Sequence, residues 1–386
     1  MPMPPDFDFE CPPLSPEECE QYKQQALQNI QDLVEKADMT NPRYEWKRIA
    51  DEAEVEIFRG MDPYRPTSAT LFCSTVDVAG TLDEVTNFFR TRTRDETKEM
   101  IDRTDVAMLD IANLYTIHES QDLDIRVQWL LEKTPFDVVV KNRDFCFLKC
   151  THFVDEDQNG RRTWARSLNS IHIPCCPEMP NIVRGVQYGS GLVCRESARP
   201  GYIELKEIVH CDLRGTLLNA IKEKVAMDLC SMIKGIDTNL RENRLIETPF
   251  LSGEQFVELS SRQRCYLCKR NFGFFRKKKH CFKCGEVVCS QCGPKWHIKV
   301  AGTPVKVRAC TTCSLLSRSS IGIETETAMS PIITPSSAAS TDVWRLADGE
   351  DDSDDDGVSF ITDSSMSHYS VSTGGRPTFD HSPDAL

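Results

Sequence analysis

The stretch CYLCKRNFGFFRKKKHCFKCGEVVCSQCGPKWHIKVAGTPVKVRACTTC, residues 265–313, contains eight cysteines in four Cys-x-x-Cys pairs. Intervals of 12, 4 and 17 residues separate the successive pairs. Two residues between thiolates form a knuckle that presents both sulfur atoms to one zinc ion, and four such ligands close the shell against a substrate water. The pattern therefore predicts two structural Zn2+ ions, with the ligands Cys265, Cys268, Cys281, Cys284, Cys289, Cys292, Cys310 and Cys313.

The interval of four residues between the second and third pairs indicates how the ligands are shared. So short a connection hardly lets these two pairs close on one ion. We therefore expect a cross-braced arrangement in which the first and third pairs share one zinc ion, and the second and fourth share the other. A segment this short has little core of its own, so metal binding supplies much of its folding free energy.

A basic run lies directly before the third cysteine of this frame. It consists of Arg276, Lys277, Lys278, Lys279 and His280, and Arg308 lies two residues before Cys310. Upstream of the run, Phe274 and Phe275 follow a glycine. A basic pocket beside an apolar loop is typical of a site for an anionic lipid headgroup and the bilayer around it. These side chains are the candidate phosphoinositide-binding and membrane-insertion residues.

At these residues, over 256–316, the sequence resembles the FYVE zinc finger, an endosomal phosphoinositide-binding module. The similarity includes the cysteine spacing, the basic run and the arginine before the seventh cysteine. It implies that the basic residues bind phosphatidylinositol 3-phosphate and that the phenylalanine loop enters the membrane. The sequence departs from the family at three places. The Trp-x-x-Asp motif falls at Phe256 and Leu259, Lys279 replaces the first of two histidines, and Phe282 replaces an arginine.

Charge is partitioned sharply along the 386 residues, whose formal net charge is −13. Residues 1–260 carry a net −15, residues 261–318 carry +13, and residues 319–386 carry −11. A positive segment between two negative ones predicts an anionic partner for the zinc-binding segment. No apolar run approaches the ~20 residues that span a bilayer, so we expect membrane contact to be peripheral.

The first residues lack the features of a signal peptide, and the ten remaining cysteines show no disulfide spacing. We therefore expect a cytoplasmic protein without disulfides, peripherally associated with endosomal or other phosphoinositide-bearing membranes.

Residues 15–245 have the pattern of an α+β domain with an antiparallel sheet. Ser15-Pro16-Glu17-Glu18 is a capping box that begins a helix, and Thr81 begins another. Alternating apolar residues predict strands near 55–57, 71–76, 124–131, 145–150, 164–173, 192–195 and 202–213. An apolar stripe over 216–241 predicts one long helix that covers the sheet. Successive strands without helical crossovers favour antiparallel pairing.

Over roughly 20–245, this region is similar to the START lipid-transfer family. The segments that carry the similarity are 45–48, 142–145, 191–196 and 210–215. The resemblance implies a helix-grip fold, in which a curved sheet encloses an apolar tunnel and the last helix acts as a lid. Its gate loops would fall near 154–162 and 212–217. No residue-specific ligand code carries over from that family, so the lipid cargo stays open.

Two charged residues share strand faces with apolar ones. Glu207 shares a face with Leu205 and Val209, and Lys149 shares one with Phe147. They are candidate lipid-cavity residues, because a polar group within an apolar cavity can orient a lipid hydroxyl or headgroup. The alternatives are that they lie near strand ends or pair with each other. Arg143 and Asp144 are interpreted as a structural ion pair.

The predicted organisation is a flexible leader (1–14), the START-like domain (15–245), a linker (246–255), the zinc finger (256–316) and a disordered acidic tail (317–386). The predicted function is lipid binding or transfer without catalysis, at phosphoinositide membranes, with a lipid as cargo. An alternative is a RING-like ubiquitin ligase or a protein-interaction adaptor that uses the two-zinc finger. Nucleic-acid binding is disfavoured, because the basic residues cluster at one loop and not along a helix.

Overall fold

The computed structural model describes residues 9–315, except 53–54, 92, 94–95, 98–99, 101–107, 134–140, 155, 157–159 and 301–302. The chain divides between Arg241 and Glu242 into two compact units. We call them the sheet unit and the finger unit. The predicted disordered tail (317–386) and the first eight residues of the predicted leader lie outside the described residues.

The described elements follow in chain order. The helices are α1 (Pro16–Ala37), α2 (Leu82–Phe89), α3 (Asn219–Ser231), α4 (Ile233–Glu247) and α5 (Thr311–Leu315). The strands up to Asp212 are β1 (Lys47–Glu52), β2 (Val55–Gly60), β3 (Thr70–Ala79), β4 (Met108–Glu119), β5 (Leu123–Glu132), β6 (Arg143–Val154), β7 (Thr163–Ser170), β8 (Val183–Arg184), β9 (Val186–Glu196) and β10 (Tyr202–Asp212). The later strands are β11 (Lys279–His280), β12 (Val287–Val288), β13 (Lys295–Val300) and β14 (Thr303–Arg308).

The sheet unit is built on one large sheet with the strand order β1-β2-β3-β10-β9-β7-β6-β5-β4, in which every neighbouring pair is antiparallel. The short β8 pairs with β6 in parallel. The α+β fold class and its antiparallel sheet are therefore confirmed. The sequence pattern did not reveal β1 and β4.

Each face of the sheet packs against different helices. On one face, which we call the outer face, Ile30 and Leu33 of α1 pack with Val127 and Leu148. On the other, the inner face, α2 and α3 pack with Phe72, Phe145 and Leu205. Successive residues of a strand point to opposite faces, so alternate positions of each strand line the inner face. The two predicted cavity residues, Lys149 and Glu207, lie on this face.

Both predicted capping boxes form. The Ser15 hydroxyl accepts a hydrogen bond from the Glu18 amide at 3.2 Å, and the Glu18 carboxylate accepts one from the Ser15 amide at 2.8 Å. Thr81 and Glu84 make the same pair of contacts, at 3.2 and 2.8 Å. These bonds satisfy amides that have no partner within the helix, so the side chains set where α1 and α2 begin.

The single helix predicted over 216–241 is instead two consecutive helices. At Met232 the amide bonds to the carbonyl oxygen of Leu229, three residues back, and the Gly235 amide bonds to Met232 in the same way. This tighter turn separates α3 from α4. The first helix begins only at Asn219, because the backbone of Leu218 is extended, with φ of −63° and ψ of 140°.

Residues 9–14, predicted to be part of a loose leader, contact the outer face of the sheet. The Phe9 ring lies 5.2 Å from that of Trp129, and the Tyr115 hydroxyl donates to the Pro12 carbonyl at 2.7 Å. A disulfide joins Cys11 to Cys175, which contradicts the expectation of a chain without disulfides. Sequence spacing did not show this pair because its partners lie 164 residues apart.

The ion pair expected between Arg143 and Asp144 does not form. Adjacent strand residues point to opposite faces. Asp144 instead accepts from the Trp129 indole at 2.8 Å and from Arg184 at 2.8 and 3.0 Å. Arg143 donates to the carbonyl oxygens of Leu213 and Arg214, at 3.1 and 3.2 Å. It thereby holds the loop between β10 and α3.

The finger unit contains two short hairpins, β11–β12 and β13–β14. Its core combines ligand cysteines with Phe282, Val288, Trp296 and Val307. The Trp296 indole donates to the Ala309 carbonyl at 2.9 Å. Among the described residues of the whole chain, no helix has the length and apolar character needed to cross a membrane.

Candidate functional site

The eight predicted zinc ligands form two groups. Within each group, the four sulfur atoms lie within 4.8 Å of one another. The groups consist of Cys265, Cys268, Cys289 and Cys292, and of Cys281, Cys284, Cys310 and Cys313. The pairing is the cross-braced one, in which the first pair shares a group with the third.

The geometry of these groups fits tetrahedral zinc. At a Zn–S distance of about 2.3 Å, neighbouring sulfur atoms of a tetrahedron lie about 3.8 Å apart. The sulfur atoms of Cys268 and Cys289 are 3.9 Å apart. Backbone amides also donate to ligand sulfurs, from Cys289 to Cys265 at 3.3 Å and from Cys310 to Cys281 at 3.1 Å. Such bonds stabilise thiolates, and two structural zinc ions fit the finger unit.

Gly285 closes the knuckle of Cys281 and Cys284. Its φ is 73°, and its amide donates to the Cys281 carbonyl at 2.8 Å. A β-carbon at this position would lie 2.7 Å from the carbonyl oxygen of Gln255. Both the left-handed conformation and the close approach therefore require glycine here.

Phe274 and Phe275 occupy the tip of a tight turn. Gly273 and Arg276 exchange backbone hydrogen bonds at 3.2 and 3.0 Å, which place the two phenylalanines between them. Their side chains are 89% and 97% exposed, and their rings meet edge to face with centroids 5.1 Å apart. Two nearly fully exposed rings at one tip form an apolar projection suited to insertion in a lipid interface.

The basic run begins where this turn ends. Arg276 closes the turn and is half-buried, whereas Lys277 is exposed. Lys278 donates to the carbonyl oxygen of Leu259 at 2.8 Å and lies 5.8 Å from the Phe272 ring centroid. Lys279 is half-buried in β11 and pairs with Val288 of β12. The predicted cations therefore extend from the apolar tip into the zinc-bound core.

His280 and Arg308 lie deeper than the other predicted headgroup residues, at 8% and 7% exposure. The Nε2 atom of His280 lies 2.9 Å from the carbonyl oxygen of Val257, and its ring stacks on Phe256. Arg308, at the end of β14, donates through Nη1 to the Gly293 carbonyl. Contacts within the finger unit thus hold both side chains, and both are more deeply buried than the lysines of the basic run.

The structure shows the surroundings of two residues that depart from the FYVE pattern, Phe282 and Leu259. Phe282, at the position of an arginine, is buried and meets Phe256 edge to face at 5.1 Å. This position therefore belongs to the core of the finger. At Leu259, the position of an aspartate, the backbone carbonyl is the acceptor for Lys278.

The segment 246–255, predicted to be a linker, makes specific contacts within the finger unit. The Leu251 amide donates to the Phe282 carbonyl at 2.8 Å. Lys283 donates to the Thr248 hydroxyl at 2.9 Å, and its Nζ lies 3.9 Å from the Phe250 ring centroid. Burial lowers the pKa of Lys283 to about 8. This segment packs as part of the finger.

The two predicted cavity residues both lie on the inner face of the sheet unit, and they do not pair with each other. Lys149 lies 3.9 Å from Asp124, and burial lowers the pKa of its ammonium group to about 8. Glu207 is in the middle of β10, and burial raises the pKa of its carboxyl to about 7. No side chain in the described part of the chain lies within salt-bridge distance of Glu207.

The sequence reasoning missed other charged groups of this face, among them Glu132, whose carboxyl has a pKa that burial raises to about 7. Arg166 of β7 shares the face with Trp164, as alternation along the strand indicates. Arg126 of β5 contacts Asp124 at 2.7 Å and Glu119 at 3.3 Å. The period-2 pattern carried the signal for Arg166, which lies between Trp164 and Leu168 on the same face of the strand.

Residues 255–318 match the family model described as FYVE zinc finger. Over 75 residues, the chain is 31% identical to the 1-phosphatidylinositol 3-phosphate 5-kinase FAB1 of Saccharomyces cerevisiae, with 19% of this chain and 3% of that protein aligned. It is 25% identical over 121 residues to the Caenorhabditis elegans Lateral signaling target protein 2, covering 31% of this chain and 18% of that one. It is 30% identical over 66 residues to human RUN and FYVE domain-containing protein 2, covering 17% and 11%. The chain thus spans a small part of these relatives.

Solved structures resemble the other part of the chain. Human StAR-related lipid transfer protein 5 aligns with 58% of this chain and 98% of its own, at 16% identity and a TM-score of 0.47. Human STARD10 aligns with 57% of this chain and 84% of its own, at 13% identity and a TM-score of 0.42. Residues 255–318, a minor part of the chain, therefore match the FYVE zinc finger family.

Proposed function

We propose that this chain is a peripheral membrane protein that binds lipids at two places. The finger unit docks on phosphoinositide-containing membranes, and the sheet unit holds one lipid in an apolar cavity. The observation that carries the proposal is the pair Phe274 and Phe275, almost fully exposed at a tip that leads directly into four consecutive cations. A protein-interaction surface of RING type does not account for an apolar tip joined to a basic run.

The electrostatics favour an anionic surface. Residues 261–318 carry 14 basic residues and one acidic residue, and that residue, Glu286, pairs with Arg262 at 2.8 Å. Two zinc ions with eight thiolates contribute −4, so the finger retains a net charge of about +9. Each lysine near an anionic membrane contributes about 1 kcal/mol, and burial of a phenylalanine about 1.5–3 kcal/mol. Association costs reduce both contributions, so stable docking needs both.

The proposed headgroup site consists of Arg276, Lys277, Lys278, Lys279, His280 and Arg308. In this site the lysines contact the phosphates. The more deeply buried His280 and Arg308 position the strand ends beside the phosphates. The resemblance to FYVE fingers and the name of the yeast relative favour the 3-phosphate isomer. Leu259 and Phe282 replace polar family residues, so we expect a looser choice among isomers. The corresponding location is an endosomal or other phosphoinositide-bearing membrane facing the cytoplasm.

The sheet unit is proposed to carry its lipid without chemical change. Its inner face is apolar around a few buried charged side chains, as a lipid cavity requires. In this reading the finger selects the membrane, and the sheet unit takes up or releases cargo there. The loops at 154–162 and 212–217 are the proposed gates, by resemblance to START domains. Residues 155 and 157–159 of the first loop lie outside the described residues.

Liposome flotation of the full chain tests the membrane function. The vesicles contain phosphatidylcholine and phosphatidylserine, either alone or with phosphatidylinositol, its 3-phosphate, its 4-phosphate or its 4,5-bisphosphate. We expect binding to require a phosphorylated inositol lipid, with more than one isomer accepted. Equal flotation with phosphatidylserine alone, or none with any vesicle, contradicts the proposal. A sharp preference for the 3-phosphate contradicts only the looser isomer choice.

A further inference from the structure

The β13–β14 hairpin of the finger unit has one apolar face and one basic face. Its apolar face belongs to the core of the unit and consists of Trp296, Ile298, Val305 and Val307. The alternate residues of both strands therefore form the opposite face. The cross-strand pairs on that face are Lys295 with Arg308, His297 with Lys306, and Lys299 with Pro304. We call these six residues the hairpin face.

The hairpin face is cationic. Lys295 and Lys299 are exposed, and Lys306 is half-buried. The pKa of His297 is lowered by burial and by the positive charge of Lys306. One carboxylate, that of Glu242, contacts the hairpin, where it accepts a hydrogen bond from the His297 amide at 3.0 Å. Even with this carboxylate counted, the three lysines and one arginine give the hairpin face a net positive charge.

The hairpin face adjoins the proposed headgroup site through Arg308, which belongs to both. The carbonyl oxygen of Arg308 accepts a hydrogen bond from the Phe282 amide at 2.9 Å, so β14 lies against the end of the basic run. Side chains paired across two strands lie about 5 Å apart. An anion bound on the hairpin face would therefore weaken the attraction of the headgroup site for an anionic membrane.

An acidic run follows the finger in the same chain, at residues 348–356, which lie outside the described residues. Its sequence, DGEDDSDDD, contains seven acidic residues, and every even-numbered position is acidic. An extended chain points alternate residues to one side, at intervals of about 6.7 Å. The cations along each strand of the hairpin face recur at the same interval. The run therefore has the charge and the spacing to complement this face.

The acidic run is close enough in the chain to reach the hairpin. The helix α5 ends at Leu315, and 32 residues separate it from Asp348. A chain of this length spans up to about 110 Å, whereas the six-residue strands of the hairpin extend about 20 Å. Because the run is tethered, a separate acidic peptide would need a concentration of roughly millimolar to compete equally well.

We propose that the acidic run 348–356 binds the hairpin face of its own finger and thereby weakens membrane docking. Its carboxylates pair with the lysines of the face and lower the positive charge beside Arg308. A bilayer is the other anionic partner that could cover this face. The matching interval favours the run, because lipid headgroups that diffuse in a bilayer have no fixed spacing. The contact itself goes beyond the proposed function, and only its effect on docking rests on that function.

Carbodiimide cross-linking of the full zinc-loaded chain in solution tests the contact. This reagent joins carboxylates to amines that touch them, and mass spectrometry identifies the joined residues. An equal mixture of unlabelled and isotope-labelled chains distinguishes bonds within one chain from bonds between chains. We expect the run to be joined within one chain to the three hairpin lysines, about fivefold more often than to the exposed Lys269 and Lys277, and less often as salt is raised.

Flotation on phosphoinositide vesicles measures the effect on docking. Two full-chain variants each remove four negative charges from the tail. The run variant is Glu350→Gln/Asp352→Asn/Asp354→Asn/Asp356→Asn, and the matched control is Glu324→Gln/Glu326→Gln/Asp380→Asn/Asp384→Asn. The run variant should bind about tenfold more tightly than the wild type, because it loses the tethered competitor, and the control should stay within about twofold.

A variant of the hairpin face separates the run from the membrane as its occupant. Lys295→Gln/Lys306→Gln should release the run and bind vesicles more tightly than the wild type, with both zinc ions retained. Unchanged or weaker binding overturns the inference, and weaker binding identifies the face as a membrane contact.

The remaining outcomes distinguish this inference from the proposed function. Cross-links that are as frequent at Lys269 and Lys277, or that form between chains, overturn the inference, as do equal gains in binding by the two tail variants. If the wild type floats with no vesicle, the proposed function is contradicted, and the cross-links decide separately whether the run occupies the hairpin face.

Discussion

The ring of Phe256 stacks on the ring of His280, with centroids 4.8 Å apart and planes inclined by 26°. The same histidine places its Nε2 atom 2.9 Å from the carbonyl oxygen of Val257. The segment before the first zinc ligand therefore holds the last residue of the basic run in place. FYVE fingers have a tryptophan at the position of Phe256, and the phenylalanine here supplies an aromatic face to the histidine.

Replacement of Phe256 should loosen both the finger and its membrane site. We expect Phe256→Ala to destabilise the finger by about 1–3 kcal/mol, because it removes a partly buried aromatic side chain. Affinity for phosphoinositide vesicles should fall with it, whereas Phe256→Trp should retain both properties. Zinc release to a competing chelator measures the stability, and flotation measures the binding. Unchanged binding by the alanine variant would show that His280 needs no support from this ring.

Zinc should be necessary for the finger and dispensable for the sheet unit. Metal analysis should return two zinc ions per chain, since the eight thiolates form two four-ligand groups. A chelator, or Cys289→Ser, should unfold the finger, because metal binding supplies about 10–16 kcal/mol to such small sites. Cys73→Ser, which alters a buried cysteine of the sheet unit, should leave the metal content unchanged. One zinc ion per wild-type chain would contradict the cross-braced assignment.

Membrane docking should require both the apolar tip and the basic run. We expect the double variants Phe274→Ser/Phe275→Ser and Lys277→Ala/Lys278→Ala each to abolish flotation while both zinc ions are retained. Tyr266→Ser is a control for the loss of an exposed aromatic residue elsewhere in the finger. Raising the ionic strength should weaken wild-type binding, because salt screens the lysines but not the phenylalanines. Salt-independent binding, or full binding by either double variant, would refute the two-part mechanism.

Glu207 should make the lipid-free sheet unit less stable as the pH rises from about 4.5 to about 7. The folded carboxyl has a pKa of about 7, against an ordinary value of 4.5, because burial disfavours its charged form. In this window the folded chain holds a proton that the unfolded chain releases, so the free energy of unfolding falls with increasing pH. Over this pH range, the free energy of unfolding of Glu207→Gln should therefore rise relative to that of the wild type by up to about 3 kcal/mol.

Urea unfolding of the lipid-free, zinc-loaded wild type and variant at pH 4.5 and pH 7.5 measures this difference. The other titrating groups are common to both proteins and cancel in the comparison. A difference that does not depend on pH would mean that Glu207 ionises normally in the folded chain.

Much of the organisation could be predicted from the sequence, because the signals are local. The zinc ligands follow from spacing, since a two-residue interval sets the geometry of each knuckle. The capping boxes at Ser15 and Thr81 lie within four residues, and alternation identified seven strand segments. The α+β fold class and the two zinc ions are confirmed on this basis. The prediction of one continuous last helix was wrong, because an apolar stripe does not reveal the local turn at Met232.

What only the tertiary structure decided depends on residues that are distant in the chain. The disulfide of Cys11 and Cys175 arises because residues 9–14 return to the outer face of the sheet. The separation of Arg143 from Asp144 is set by the pleat, which sends neighbours to opposite faces. Arg166 and Glu207 lie on either side of the same residue of β9, Leu192, which no periodicity in either strand can show. Spacing and alternation predict metal ligands and strand faces because these depend on residues that are close in the chain. Which side chains lie next to one another on a face depends on strand order and register, and only the folded sheet establishes these.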